Sequence, residues 1–474
     1  MLSAVDPAKT LHSAQQLAQF IGEPARPISL RRLMRRALAF RMRHQGLIRH
    51  VFVLMLENRS FDHIFGYSGI VGTDSATGAT TEVEGLVRHD GTNVNPANGQ
   101  SIRTSPTASL SLVGAASDVE HEFLDVMMQL CGPARVPKSG QLPRGKYPLI
   151  DNSGFVANFV ARDPASPPET PMKCFAPANL PVLNALAKEF VICDHWFASH
   201  PGPTWPNRFF VHAASPSTAA QVDSPSNLRI AETYSPVGPG KFHFTNGTIY
   251  DRLAAKGLKH KIYSGNDCPQ VKGIRGNDVD LNIANLKSFR QDLQGADFKF
   301  SYIFIEPDNG QGGIAGAIAD CNSGIQNDMH PPSDVRPGEA LIKQVYEAIK
   351  NSPVWNQSVF VILFDEHGGF FDHVNPPGPP IAVPPGDGAA DDDHNFQFNQ
   401  LGVRIPAVIV SPWVGRNVVD HTQHDHTSLL ATVEKLFGLD PLTHRDAVAN
   451  DFLEVFSQIV PRTDAPGALP SPAP

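Results

Sequence analysis

The sequence predicts an α/β protein, an α/β/α sandwich on a mostly parallel central sheet, and three observations lead there. From about residue 48 onward, short apolar runs of strand length alternate with segments of helical period. Those runs are continuous in Val, Ile, Leu and Phe rather than alternating with polar residues, as strands covered by helices on both faces require. Four of the five main runs end directly on an acid, and in an open α/β sheet ligands collect outside the carboxyl ends of the strands.

The five runs are LIRHVFVLML before Glu57, EFVIC before Asp194, KFSYIFI before Glu306, SVFVILF before Asp365, and IPAVIVS, which ends near Ser411. The helices between them are legible from their ends. PGEALIKQVYEAIKNSP places Pro337 near the first helical position, repeats Leu341, Val345 and Ile349, and stops before Pro353. DHTSLLATVEKLFGL offers Asp425 or Thr427 as a cap, turns Leu429, Leu430, Val433, Leu436 and Phe437 inward, and has Gly438 as its terminator. IYDRLAAKGLKHKIYS reads as a helix closed by Gly257 and followed by a further strand.

Residues 1–45 read as a basic helical N-terminal arm, with Leu30, Leu33, Met34, Leu38 and Met42 on one face and Arg31, Arg32, Arg35, Arg36, Arg41 and Arg43 around it. Such a surface is suited to peripheral contact with anionic lipid, but an arm packed on its own domain with solvated arginines is the plainer reading. Residues 46–460 are expected to form the catalytic domain. Within it, residues 66–118 and 375–394 are rich in turn-forming residues and too long for plain connections, so both are expected as lids or rims beside a site. The tail 461–474, PRTDAPGALPSPAP, is expected to be disordered.

Bulk composition excludes several classes. At 474 residues and 41% hydrophobic, the chain has enough apolar side chain for one large α/β core or two smaller ones that share an interface. With 39 Lys and Arg against 47 Asp and Glu, a net charge of −8 leaves no footprint for nucleic acid. Five widely spaced cysteines without a CxxC pair argue against a disulfide framework or a zinc ribbon and leave buried thiols as the expectation. No run approaches the roughly 20 apolar residues of a membrane span. The N-terminus lacks a basic region followed by an apolar core, so the expected location is cytoplasmic or peripheral at a membrane, with secretion left open.

The candidate chemistry is phosphate-ester hydrolysis, which needs an in-line nucleophile, a cation for the equatorial oxygens and an acid for the leaving oxygen. HPGPTWPNRFF places Thr204 ahead of a possible helix, whose N-terminal amides favour an anion. A Thr hydroxyl is a poor nucleophile until a metal or a base lowers its pKa. Glu57, Asn58, Asp365 and Glu366, paired oxygen donors at two strand ends, are the candidate ligands of a divalent ion that also meets Thr204. Singly these are weak signals, since GPT and DEHGG occur often as ordinary turns. An all-oxygen set suits Ca, Mg or Mn and does not exclude Zn.

The strings ENRSFDHIFGY, WFASHPGPTWPNRFFVHAAS, HPPSDVRPGEALIKQVYEAI, FVILFDEHGGFFDHV and LGVRIPAVIVSPW with HTSLLATVEKLFGL occur in order across roughly residues 48–448. Together they resemble the phosphoesterase family that holds bacterial phosphatidylcholine-preferring phospholipases C, plant non-specific phospholipases C and an acid phosphatase branch. The resemblance implies an alkaline-phosphatase-like fold and a phosphoenzyme intermediate. Thr204 matches the family nucleophile, which is Thr in the phospholipases C and Ser in the acid phosphatases. Glu57 and Asn58 match the ligands of the first motif. Asp365 and Glu366 match the later acidic pair, which is two aspartates in the acid phosphatase branch and DEHGG in plant-like members. His121 and His330 fall at positions resembling active-site histidines that touch phosphate oxygens, with His367, His373 and His426 as weaker candidates.

Asn207 and Arg208 are expected to shape the nucleophile loop. Ser60 or Asp62 is expected to cap a helix, while Glu306 and Asp308 border the pocket. The function expected is a phospholipase C acting on glycerophospholipids. Two alternatives stay open: an acid phosphatase taking small soluble phosphate monoesters, and a non-catalytic membrane-surface binding protein.

Overall fold

A computed structural model describes residues 46–114, 118–216, 242–267, 269–275, 281–295, 297–310, 324–389 and 393–474. The basic arm expected over 1–45 lies outside the described residues. In chain order the strands are β1 (His50–Leu56), β2 (Val71–Asp74), β3 (Thr80–Glu82), β4 (Thr92–Val94), β5 (Ser101–Arg103), β6 (Val191–Cys193) and β7 (Phe242–His243). There follow β8 (Lys259–Ser264), β9 (Ile274–Arg275), β10 (Ile283–Asn285), β11 (Phe300–Glu306), β12 (Ser358–Phe364), β13 (Ala407–Val410) and β14 (Val418–Asp420). Ten of these form one sheet in the order β10-β8-β11-β1-β12-β13-β6-β14-β2-β3. All run in one direction except β13 and the edge strand β3, each antiparallel to its neighbours.

The helices are α1 (Phe61–Phe65), α2 (Phe123–Cys131), α3 (Phe155–Arg162), α4 (Pro181–Glu189), α5 (Thr204–Ala213), α6 (Ile249–Ala255), α7 (Phe289–Gln294), α8 (Arg336–Lys350), α9 (His426–Phe437) and α10 (His444–Val448). Two groups pack among themselves, α4 and α7 against α8, and α6 and α9 against α5. Every residue of β1 and β12 is buried, which requires cover on both faces of the sheet. The architecture is therefore the α/β/α sandwich on a mostly parallel sheet that the continuous apolar runs predict. The caps also follow the sequence: Ser60 accepts from His63 N at the start of α1, Asp425 accepts from Thr427 N at the start of α9, and Gly438 ends α9 in the left-handed region. Among the described residues, no helix is long and apolar enough to cross a membrane.

Three expectations need correction. The run ending at Ser411 is β13, which is antiparallel, so Ser411 faces the start of its neighbour and its hydroxyl donates to Ser358 O. Residues 66–118 are not a plain lid, because β2 and β3 extend the main sheet and β4 pairs with β5. The tail 461–474 is ordered. Ala465 and Leu469 are buried, the Tyr346 hydroxyl donates to Pro466 O at 2.6 Å, and Arg462 pairs with Glu189. Its prolines forbid helix and strand, but side chains of α8 satisfy the carbonyls that a disordered tail would leave to water. The described part of 375–394 is stitched down by Gln400, which donates to Pro376 O and Pro377 O, and by His444 N on Pro385 O.

Candidate active site

Sheet register delivers the first acids. β1 and β12 pair in parallel with Leu56 opposite Phe364, so Glu57 and Asp365 leave the sheet side by side. β11 flanks β1 on its other side and ends on Glu306. After Glu57 the chain turns back through Asn58, whose φ of 63° is a left-handed value that Asn tolerates better than most residues. The turn is fixed by Asn58 N donating to Asp365 Oδ1 at 3.1 Å and Arg59 N donating to Glu366 O at 3.0 Å. The DEHGG turn packs so closely on it that a Cβ at Gly368, itself at φ +62°, would stand 2.2 Å from Asn58 O. Only glycine fits there.

Helix α5 approaches the same edge. Thr204 is its first residue and is 4% exposed, and Arg208 stands one turn later on the same helical face. The buried Arg208 guanidinium donates to Glu57 Oε1 at 2.8 Å and lies 3.4 Å from Asp365 Oδ2. Asn207 fastens the loop ahead of the helix. Its Oδ1 accepts from His200 N at 3.1 Å, and its Nδ2 donates to the carbonyls of His200, Gly202 and Pro203.

His121 and His330 close the other side. Asn58 Nδ2 lies 3.0 Å from His121 Nε2 and 3.1 Å from His330 Nε2, and the ring centroids are 5.7 Å apart. Each ring presents Nδ1 to a carbonyl, His121 to Val119 O and His330 to Pro331 O, so Nε2 is the atom each offers to the site. A protonated Nε2 can meet Asn58 as a donor only with the amide reversed, so the charge on these rings and the orientation of Asn58 are linked. Asp118 Oδ2 stands 3.8 Å from His330 Nε2, and Glu366 Oε1 stands 3.9 Å from His121 Nε2.

The electrostatics are those of an acid-rich pocket short of positive charge. Burial pushes Glu57 up to about 8 against the pull of Arg208, and pushes Asp365 up to about 6. Burial disfavours the charged form of His121, but Glu366 and Asp118 outweigh it and raise the ring to about 10; His330 is raised in the same way, chiefly by Asp118 and Glu57. Glu366 is held below its ordinary value because His121 and His367 outweigh its burial. Asn58 Oδ1 and Glu366 Oε1 are buried without a hydrogen-bond partner. Two orphaned hard oxygens beside carboxylates that share a single buried arginine fit a divalent cation, which would bring Glu57, Asn58, Asp365 and Glu366 to it as oxygen ligands.

Six of the seven predicted site residues thus join one network, and Thr204 opens the helix that carries Arg208 into it. The other expectations divide. Glu306 accepts from Val271 N at 3.1 Å and sits beside Arg208, at the border expected of it, while Asp308 folds its own turn by accepting from Gly310 N. His426 Nε2 meets Asp365 O at 2.7 Å, and His367, whose Nε2 meets Gln129 Oε1 at 2.8 Å, holds Nδ1 3.3 Å from Glu366 Oε2, so both buttress the acidic pair. His373 pairs with Asp62 instead. Asp194, the remaining strand-end acid, is held by His195 and His421, because β13 inserts between β12 and β6 and moves it two strands away. Sequence reasoning passed over Asp118, Asp328 and Gln270. The first two precede His121 and His330 by three and two residues, a local signal that was present, whereas Gln270, 3.2 Å from Glu57 Oε1, carries none.

Comparison with known proteins gives the family. The chain matches the phosphoesterase family over residues 48–440. It is 35% identical over 450 residues to non-specific phospholipase C6 of Arabidopsis thaliana, covering 91% of this chain and 76% of that protein. Non-specific phospholipase C3 of the same plant is 33% identical over 441 residues, covering 89% of this chain and 76% of the relative. Phospholipase C B of Mycobacterium tuberculosis is 26% identical over 446 residues, covering 88% and 79%. Among solved structures, an alkaline phosphatase superfamily protein of Vibrio parahaemolyticus overlaps 57% of this chain and 64% of its own at a TM-score of 0.34 and 16% identity. A strand-end acidic cage, a helix N-terminal threonine and a family match over most of the chain lead to one conclusion: the protein belongs to the phosphoesterase family and is a phosphoric ester hydrolase.

Proposed function

We propose that the protein is a phospholipase C that cleaves glycerophospholipid through Thr204 with the help of a divalent ion. The observation that carries this reading is the pair of orphaned buried oxygens, Asn58 Oδ1 and Glu366 Oε1, in the network that Glu57 and Asp365 form with Arg208, one helical turn after Thr204 in α5. Glu57, Asn58, Asp365 and Glu366 would hold a divalent ion there, which would lower the pKa of the Thr204 hydroxyl and neutralise charge on phosphoryl oxygens. Thr204, freed of its proton to solvent, forms a bond to phosphorus as the bond from phosphorus to the diacylglycerol oxygen breaks. With Asn58 Oδ1 turned to the ion and its Nδ2 to the two rings, whichever of His121 and His330 leaves Asn58 Nδ2 and takes up a proton on Nε2 gives that proton to the departing alkoxide. Water then cleaves the threonine phosphodiester, releasing the phosphorylated headgroup and restoring the hydroxyl. The phospholipid substrate itself is supported by the relatives, which are phospholipases C, and by the resemblance of Thr204 and of DEHGG to the phospholipase C pattern.

The test is Thr204→Ala and Thr204→Ser on phosphatidylcholine, with diacylglycerol and phosphocholine identified as products and circular dichroism as a check of folding. Thr204→Ala is expected to abolish turnover in a folded protein and Thr204→Ser to keep part of it. Full turnover by the alanine variant would refute the nucleophile. Hydrolysis of a soluble monoester with phosphatidylcholine untouched would replace the lipid substrate with a phosphomonoester.

A further inference from the structure

A second group of ligating side chains lies away from this pocket. Glu84, in the segment after β3, and His89 face His373, which follows the DEHGG turn. His89 Nε2 is 3.2 Å and His373 Nε2 is 3.3 Å from the same oxygen, Glu84 Oε1. The two imidazoles stack with centroids 5.0 Å apart and planes 15° from parallel, and all three ligand atoms lie within 4.8 Å of one another. Bonds of roughly 2.0–2.1 Å at tetrahedral angles set ligand atoms about 3.3–3.4 Å apart, so the two edges at Glu84 Oε1 are close to those a tetrahedral zinc site needs.

The support behind the cluster is of the same kind. His373 Nδ1 is 2.6 Å from Asp62 Oδ2, and Asp62 is fully buried, with its other oxygen accepting from Arg404 at 3.0 Å. A carboxylate on the far ring nitrogen fixes the tautomer that leaves Nε2 free and makes it a stronger ligand, the arrangement common behind metal-bound histidines. An entry path exists as well, since Glu84 and His89 line a cleft of about 580 Å³. Two imidazole nitrogens and one carboxylate oxygen suit a borderline ion such as Zn²⁺, with water in the fourth position, better than the hard ions that suit Glu57 and Asp365.

We infer that Glu84, His89 and His373 form a second metal site, separate from the catalytic pocket, that takes Zn²⁺ and ties together the two turns bearing the catalytic acids. Asp62 lies four residues after Asn58, and His373 lies seven after Glu366, so an ion on His373 braces both segments. The rival arrangement is a protonated His373 ion-paired between Asp62 and Glu84 with no metal.

The test compares the full chain with His89→Ala and Glu84→Gln, both at surface-accessible positions outside the catalytic network. Each protein is dialysed against ZnCl₂ and then against zinc-free buffer, zinc per chain is measured by elemental analysis, and thermal unfolding is followed with and without zinc. Wild type is expected to retain one more zinc per chain than His89→Ala and to show a zinc-dependent rise in Tm that His89→Ala lacks, with Glu84→Gln weakened in both. Zinc retained at the catalytic pocket would be common to all three proteins and would cancel in the difference. Equal zinc content in wild type and a folded His89→Ala, or no zinc in wild type, would overturn the site and leave the trio an ion pair.

Discussion

One amide holds the loop ahead of Thr204. Asn207 uses its oxygen for His200 N and its nitrogen for three carbonyls, all inside seven residues of chain. Removing it as Asn207→Ala strands buried backbone groups and should cost about 1–3 kcal/mol. Asn207→Asp should cost more, because a carboxylate oxygen would replace the donor and face three carbonyl oxygens. Denaturant unfolding will rank the two, and steady-state kinetics on phosphatidylcholine should show kcat falling more than KM, since the loop positions the nucleophile rather than the lipid. An alanine variant less stable than the aspartate would refute this account. Asn207 shows how far a sequence informs at this scale: it reads as loop-shaping, and although it lies in the first turn of α5 rather than in the loop, its partners are local. Arg208, its neighbour, reads the same way, yet its partners Glu57 and Asp365 lie 151 and 157 residues away. No local pattern discloses such a pair.

Helix α9 shows the same boundary for an element. Its ends were legible from Asp425 and Gly438, and its apolar face from Leu429, Leu430 and Val433. Glu434 looks like a solvated helix residue but is 3% exposed, because α10 packs over it and brings Asp446 close. Burial first, and Asp446 second, push its carboxyl up to about 10. The folded state therefore holds a proton that the unfolded chain releases near its ordinary value of 4.5. With the folded pKa above the unfolded one, this stabilisation is complete below about 4.5 and is lost as pH rises towards 10. In that window the residue lowers stability by up to about 1.4 kcal/mol per pH unit. Glu434→Gln keeps the shape without the titration. Its unfolding free energy should show a shallower decline than wild type between pH 5 and pH 9, measured by urea unfolding at several pH values, and parallel curves would show that Glu434 ionises freely.

Across the whole molecule, the buried layer was the readable part and the edges were not. A strand covered on both faces is continuously apolar in either direction, so β13 could not be told from its parallel neighbours. β2 and β3 are short and half exposed, and among Gly, Ser and Thr they read as loop. The tail failed for a related reason, since a Pro-rich composition forecasts missing secondary structure and says nothing of docking. Here Tyr346, Lys343 and Glu347 of α8 bind Pro466 and Leu469, and Leu469 is buried at 6% exposure. Leu469→Ala should therefore cost about 2 kcal/mol. Deleting residues 461–474 should also lower stability, since it uncovers α8 and leaves Glu189 without Arg462. The tail meets the second half of α8, whereas His330 precedes the first turn, so kcat should be unchanged in both variants. Unfolding curves superimposable on wild type would mean that the tail does not dock in solution, and a fall in kcat at constant stability would mean that α8 transmits its packing to His330.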